Sequence, residues 1–186
     1  MAKVSKTPEL KRSLFDTTIE DPLLRVQSYL DGYGHDKTYN GPDRLIFQHI
    51  KVVSAKRTEA EQEGMEAHVV FEMKVFPEIC NGMNNMHGGA VAMLVDNTTT
   101  AAACPIAEDG FWNFGGVSRT LQVTYLRPMP MGTTVVIENM VRSVGKSLAA
   151  IQCIIRDKES GKIAALGEHG KAALEPQVKR KRSGVL

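Results

Sequence analysis

The segment from residue 88 to residue 107 constrains the fold of this chain more than any other. It reads GGAVAMLVDNTTTAAACPIA and carries a single charged side chain, Asp96. A helix that is apolar on nearly every face is buried, so this pattern predicts a central helix enclosed by the rest of the chain. A membrane span is rejected because Asp96, Asn97 and three threonines stand at its middle, where an aspartate alone costs about 2.5 to 3.5 kcal/mol.

Six other runs alternate apolar and polar residues loosely, as β-strands do. The last four runs are separated by short turns, which favour antiparallel pairing because parallel neighbours need crossovers of about a dozen residues or more. We therefore predict an α+β fold in which an antiparallel sheet of about five or six strands wraps around one long helix. The runs are 45–56, 65–75, 116–126, 133–144, 147–157 and 162–174.

The length of 186 residues fits one domain, below the roughly 250 residues at which hydrophobic cores usually divide. Asp21 followed by Pro22 is typical of a helix start, and Gly32 and Gly34 are expected to end this short helix. The expected division is an N-terminal arm with the short helix (1–43), the main domain (44–175) and a basic C-terminal tail (176–186).

Charge and cysteine content narrow the partners and the compartment. The net charge of +2, with 24% charged residues, gives no electrostatic reason to bind nucleic acid. Three cysteines without any CxxC spacing favour a reducing intracellular compartment and argue against structural zinc. We expect a cytoplasmic protein. A mitochondrial location stays open as the alternative, because the first twelve residues are basic, although acidic residues soon follow.

The start of the central helix carries the first chemical signal. Asn81 stands six residues before His87, which is followed by Gly88 and Gly89. The glycines have no side chains to block a ligand, and they occupy a helix N-terminus, where backbone N–H groups are unpaired and the helix dipole is positive. With the Asn81 amide as a second donor, this arrangement suits an oxyanion. The alternative is a glycine helix start packed against a loop, with Asn81 in an Asx turn.

Asp96 carries the second signal, because an ionisable group in an otherwise uncharged buried helix is rarely kept unless it is paired or functional. Burial makes a carboxylate a better proton acceptor near neutral pH. We interpret Asp96 as a general base, or else as a nucleophile. The alternative is a structural aspartate that accepts hydrogen bonds from neighbouring backbone.

The stretch from Asn81 to Asp96 resembles the active-site motif of hotdog-fold thioesterases of the phenylacetate-pathway type, in particular the eukaryotic acyl-CoA thioesterase 13 subfamily. The resemblance runs from about Leu45 to Leu174 and also rests on two later segments, GVS followed by LQVTYLRP, and GKSLA. It implies a hotdog fold and hydrolysis of acyl-CoA. It also implies that neither a cofactor nor a metal ion is needed.

Five further residues receive roles from this resemblance. Ser118, the serine of GVS, would orient water or the bound carbonyl, unless it only caps a strand end. His87 is expected to shape the loop rather than to transfer protons. Lys146, together with Arg119 or Arg127, is a candidate contact for the phosphates of coenzyme A. For each of these three cations, an exposed charge that contacts only water is an equally good explanation.

Helix geometry predicts that the site is shared between two chains. Gly88 and Asp96 are eight residues apart, which separates them by about 12 Å along one helix. Two antiparallel copies of the helix would bring Asp96 of one chain towards Asn81 of the other in a homodimer. The resemblance further implies that dimers pair into a homotetramer.

The substrate is the least specified element. Methionines near the motif, at Met83, Met86 and Met93, suit an adaptable apolar pocket and weakly favour medium- or long-chain acyl-CoA. Trp112 and Phe114 are expected near the mouth of the acyl channel. Two other functions stay open on the same fold: a non-catalytic acyl-CoA-binding protein, and a hydratase or dehydratase.

Overall fold

The computed structural model describes residues 13–58 and 64–174. The predicted basic tail and the first twelve residues of the arm lie outside the described residues. Within the described part, no helix combines the length and the apolar character that crossing a membrane requires.

Six strands form a single sheet in the order β1-β2-β4-β5-β6-β3, and every neighbouring pair is antiparallel. The prediction of an antiparallel sheet is therefore confirmed, and β3 forms one of its two edges. The strands are β1 (Ile50–Arg57), β2 (Ala67–Lys74), β3 (Val117–Tyr125), β4 (Thr134–Val144), β5 (Leu148–Asp157) and β6 (Ile163–Ala172).

The central helix, α3 (Gly88–Ala101), is followed by a short 3-10 turn at Cys104–Ile106. Val91, Leu94 and Val95 of α3 are buried, as the apolar sequence predicts. Gly167 lets β6 approach the helix closely, because a Cβ at this position would lie 2.6 Å from a methyl carbon of Val95. The α+β plan of one long helix held against an antiparallel sheet is thus confirmed.

One predicted strand was wrong at its start. The segment 45–56 divides into a helix, α2 (Arg44–His49), and then β1. Ile46, Phe47 and Ile50 are all buried, and their spacing places them on one face of a helical turn rather than on the two faces of a strand. The ring of Phe47 stacks on that of Tyr33 with centroids 5.0 Å apart, so packing against the preceding helix decides the local conformation.

The N-terminal segment shares the core of the sheet. Helix α1 spans Pro22–Gly34, and Asp21 caps it by accepting a hydrogen bond from Leu24 N at 2.9 Å, as predicted. Phe15 is fully buried, and its backbone N–H donates to Asn113 O at 3.0 Å. The expected boundary near residue 43 therefore does not coincide with a break in the hydrophobic core.

Candidate functional site

The loop before α3 is held in place by backbone hydrogen bonds. His87 N donates to Ile79 O at 2.8 Å, and Met86 N donates to Met129 O at 2.9 Å. Asn81 N donates to Asn85 O at 2.8 Å. These bonds fix both the start of the helix and the turn that presents Asn81.

Asn81 occupies the Asx turn considered above, and this turn leaves its amide nitrogen available. Its Oδ1 accepts from Met83 N at 2.9 Å and from Asn85 N at 3.3 Å. Because both donors are backbone N–H groups, the accepting atom is the oxygen, and Nδ2 is the remaining donor. In the described part of the chain, no residue accepts a hydrogen bond from Nδ2. The structural and the functional interpretations of Asn81 are therefore compatible.

His87 caps α3 and takes up one of the two glycine N–H groups. Its Nδ1 accepts a hydrogen bond from Gly89 N at 2.9 Å, so Nδ1 carries no proton in this arrangement. Gly88 N has no acceptor among residues 13–58 and 64–174. The Tyr125 hydroxyl donates to Gly88 O at 2.9 Å and so adds a side-chain anchor at the glycine. Gly88, rather than Gly89, is the backbone donor open to a ligand.

Asp96 lies on a face of α3 that the rest of this chain leaves partly uncovered. Its side chain is 40% exposed, which differs from the full burial predicted for the helix. The difference arises because the sheet of one chain covers only one side of α3, where Leu94, Val95 and Thr99 are buried. Ser118 Oγ donates to Asp96 Oδ1 at 2.8 Å, so the structure brings these two predicted site residues together.

A buried histidine, which the sequence analysis missed, stands beside Asp96. His169 Nε2 lies 3.4 Å from Asp96 Oδ1, and Nδ1 lies 2.6 Å from Thr99 Oγ1. Because the Asp96 carboxylate only accepts hydrogen bonds, we place the proton of the neutral ring on Nε2, and the Thr99 hydroxyl then donates to Nδ1. Burial, reinforced by the nearby Lys171 ammonium, lowers the pKa of His169 to about 4, and the ring is neutral at pH 7.

Lys171 was also missed, and it is buried as well. The residue is only 2% exposed, and its Nζ donates to Thr100 Oγ1 at 2.9 Å. Burial lowers the pKa of Lys171 to about 8, against an opposing attraction from Asp96. The signal for both missed residues is the two-residue period of β6, which places His169 and Lys171 on the same inward face as the buried Ala165.

The predicted phosphate contacts differ in their surroundings. Lys146 is exposed in the turn between β4 and β5, and Arg119 is exposed at a bulge in β3. Arg127 Nη1 donates to Ile163 O at 2.6 Å and is thus partly committed to the backbone. Trp112, which was expected near the mouth of the acyl channel, is buried, and its indole N–H donates to Gly145 O at 2.8 Å beneath the turn that carries Lys146.

The site residues form two groups within one chain. Asp96 gathers Ser118 and His169, whereas the free donors of Asn81 and Gly88 belong to the start of the helix. The groups are separated by about 12 Å along α3. The described residues contain no group of three or more histidine, cysteine or acidic side chains arranged to hold a metal ion.

Comparison with known proteins identifies relatives that share this arrangement of elements. The family model described as the thioesterase superfamily matches residues 83–164. The chain is 39% identical to human acyl-coenzyme A thioesterase 13 over 103 residues, which are 55% of this chain and 71% of the human protein. Both findings agree with the resemblance that the motif indicated.

The structural matches extend the likeness over most of the chain. Zebrafish thioesterase superfamily member 2 matches with a TM-score of 0.67 at 28% identity, covering 81% of this chain and 96% of the zebrafish protein. The E. coli PaaI protein of the phenylacetic acid degradation operon matches with a TM-score of 0.58 at 20% identity, covering 80% and 93% of the two chains. The predicted hotdog fold is confirmed.

Proposed function

Because this chain belongs to the thioesterase superfamily, we propose that it hydrolyses acyl-coenzyme A to a free acid and coenzyme A. The single observation that carries this proposal is the accessible Asp96 carboxylate, which accepts a hydrogen bond from Ser118 at 2.8 Å beside a neutral histidine. The names of the relatives support the substrate class, since acyl-coenzyme A thioesterase 13 is 39% identical over the matched region.

Each polar group has a defined part in the proposed reaction. Asp96 takes a proton from water as the water oxygen attacks the thioester carbonyl carbon. Gly88 N–H and Asn81 Nδ2 donate hydrogen bonds to the carbonyl oxygen as negative charge develops on it. The C–S bond then breaks, and the proton held by Asp96 is returned to the thiolate. A thiol with a pKa of about 8.5 leaves without a strong acid catalyst.

Ser118 and His87 are proposed as orienting residues. Ser118 Oγ already bonds to the carboxylate and would fix the rotamer of Asp96 and the position of the attacking water. His87 holds the first turn of α3 through its bond to Gly89 N, which leaves Gly88 N as the oxyanion donor. Gly89 would therefore contribute space for the ligand rather than a hydrogen bond.

Two chains are proposed to build each site. Asp96 of one chain would meet Asn81 and Gly88 of its partner across two antiparallel copies of α3. Two features support a homodimer: α3 is partly uncovered at Asp96, and β3 is an edge strand that is exposed along nearly its whole length. An unpaired, exposed sheet edge is a ready template for pairing with a second copy. We propose that such dimers pair into a tetramer.

The proposed ligand is acyl-CoA of medium or long chain length. Met83 is 77% exposed and Met93 partly exposed, so both are available to an apolar chain, whereas Met86 is packed into the core. Lys146 and Arg119 are the exposed cations proposed to contact the phosphates, with Arg127 as a weaker candidate because it bonds to Ile163 O. The cysteines among the described residues are free thiols, as expected for a protein in a reducing compartment such as the cytoplasm.

A thiol-release assay across acyl-CoAs of increasing chain length tests the activity. Release of coenzyme A that rises with chain length is expected. Binding of acyl-CoA without any thiol release would instead identify a non-catalytic binding protein.

A subunit-mixing experiment tests the shared site. Asn81→Ala and Asp96→Ala proteins are expected to be inactive alone, and subunit exchange should restore activity because a hybrid dimer has one site with both residues intact. Random pairing makes roughly half of the dimers hybrids with one working site of two, so about a quarter of the normal rate should return. If mass spectrometry shows exchange and activity stays at the level of the single variants, the site is not shared.

A further inference from the structure

Lys171 is an ammonium group in the core that the proposed reaction does not use directly. Burying an ammonium ion costs several kcal/mol even after relaxation, unless neighbouring groups compensate it. The polar contact recorded for it within residues 13–58 and 64–174 is with the neutral hydroxyl of Thr100 at 2.9 Å, which is weak compensation for a full charge. Such a costly placement calls for a role.

The groups around Lys171 are those of the proposed catalytic centre. The Thr100 hydroxyl that accepts from Lys171 also donates to Asp96 O at 2.7 Å. Ser118 stands directly opposite Lys171 in the pairing of β3 with β6, and its hydroxyl bonds to the Asp96 carboxylate. His169 lies two residues before Lys171 on the same inward face of β6. Lys171 is thus linked to the backbone of Asp96 through the Thr100 hydroxyl and lies next to Ser118 and His169 in the sheet.

No other charged side chain in the described part of the chain shares this position. From α3 the facing ionisable group is Asp96, and from β6 itself it is His169. The β5 residue paired with Lys171 is Ala149. On β3, Arg119 follows Ser118 at the bulge and is exposed to solvent.

We propose that Lys171 is a positioning residue whose ammonium opposes protonation of His169 and so leaves the Asp96 carboxylate free to act as a base down to lower pH. This inference rests on the proposed thioesterase function. A positive charge favours a nearby carboxylate and opposes a nearby imidazolium. Protonated His169 would form an ion pair with Asp96 Oδ1 at the 3.4 Å separation and would make the carboxylate a weaker base. The ammonium therefore extends to lower pH the range in which the carboxylate is free to act as a base.

The proposal predicts a change in pH dependence when the charge is removed. In Lys171→Met, the acid limb of kcat/KM should move to higher pH by about one unit, and Lys171→Arg, which keeps the charge, should retain the wild-type limb. Histidine NMR on the resting protein gives a second readout that needs no activity. The His169 titration should move upwards by about one unit in Lys171→Met and stay near its wild-type position in Lys171→Arg.

The outcomes separate this proposal from the proposed function. An unchanged His169 titration in folded Lys171→Met overturns the inference, whether or not the protein is a thioesterase. A shifted titration without any thiol release in the wild type supports the electrostatic coupling and overturns the thioesterase function instead.

A reciprocal variant covers the case in which Lys171→Met does not fold. Removing the Asp96 charge by Asp96→Asn should lower the pKa of Lys171 below its value of about 8, because the carboxylate stabilises the ammonium. NMR of the lysine side chain measures this directly. A Lys171 titration that is the same in Asp96→Asn as in the wild type overturns the proposal.

Discussion

The two halves of the proposed site are formed by different kinds of group: backbone and neutral amide donors in one half, and ionisable side chains in the other. At the start of α3, the loop is fixed by backbone hydrogen bonds and by local caps, and the free donors of Asn81 and Gly88 are neutral. At the middle of the helix, side chains from α3, β3 and β6 converge, and two of them, His169 and Lys171, are ionisable groups enclosed by the core.

This contrast teaches where stability is given up for chemistry. A helix N-terminus presents unpaired N–H groups in any fold, so the first half of the site adds little cost. The second half places an ammonium and an imidazole where water is excluded, which destabilises the folded chain at pH values where either would be charged in water. Variants should therefore affect mainly turnover at the helix start and both turnover and pH-dependent stability around Asp96.

The largest effect is expected from Asp96→Ala. Loss of a general base typically lowers kcat by about 10² to 10⁴, and the variant should fold because Asp96 is partly exposed. Steady-state kinetics with circular dichroism measures both. Glu159→Gln, which removes an exposed carboxylate from the turn between β5 and β6, is the matched control and should behave as the wild type. Near-normal turnover in Asp96→Ala would refute the assigned role.

At the other half, Asn81 permits a sharper test because its two side-chain atoms have separate tasks. Asn81→Asp keeps the oxygen that accepts from Met83 N and Asn85 N but cannot supply the donor at Nδ2. We expect kcat to fall by about 10² to 10³, as for loss of one oxyanion donor. Asn81→Ala should fall at least as far, since it also loses the turn. A change confined to KM in Asn81→Asp would make Asn81 a binding residue.

The same contrast explains what the sequence could predict. The buried central helix, the last four strands and the antiparallel order follow from periodicity and short turns, which are local signals. The predicted start of β1 was wrong because packing of Phe47 against α1 determines the conformation of the segment at Leu45. Sequence periodicity gives no information about that contact. Phe15 is buried for the same reason, through contacts with residues distant in the chain.

The site residues likewise fall into those that local sequence signals predict and those that only long-range contacts bring together. Asn81, His87, Gly88 and Asp96 lie within sixteen consecutive residues, and their spacing alone suggests a helix start with a carboxylate beyond it. His169 and Lys171 join Asp96 only because β6 lies beside β3 and faces α3. Their alternation with buried small residues was the available signal, but an inward-facing lysine contradicts the usual pattern of a half-buried strand.

Acid stability measures the cost of the buried imidazole. Burial lowers the pKa of His169 to about 4 from 6.5, so the unfolded chain binds more protons than the folded one between these values. Stability from this group is complete above pH 6.5 and should decrease by roughly 3 kcal/mol as pH falls to 4. Urea unfolding of the wild type and of His169→Gln across this range measures the contribution of His169 to the free energy of unfolding. The variant should lose less of this free energy than the wild type as pH falls. His35→Gln, which removes an exposed histidine, is the control and should follow the wild-type curve. Parallel curves for wild type and His169→Gln would contradict a neutral buried ring.

The smallest effect is expected outside both halves, at Lys146. This side chain is exposed in the turn above Trp112, so any contact with a coenzyme A phosphate is made in water and screened by salt. Lys146→Ala should raise KM for acyl-CoA by about fivefold or less, with kcat unchanged, because exposed ion pairs contribute little.

The acyl-pantetheine thioester, which lacks the nucleotide phosphates, should show no change in KM, and the change in KM for acyl-CoA should shrink as salt is added. Lys162→Ala, at the opposite end of β5, removes another exposed lysine and should leave the KM values of both substrates unchanged. Equal increases in KM for acyl-CoA and acyl-pantetheine would show that Lys146 acts through the fold of the turn and not through the phosphates.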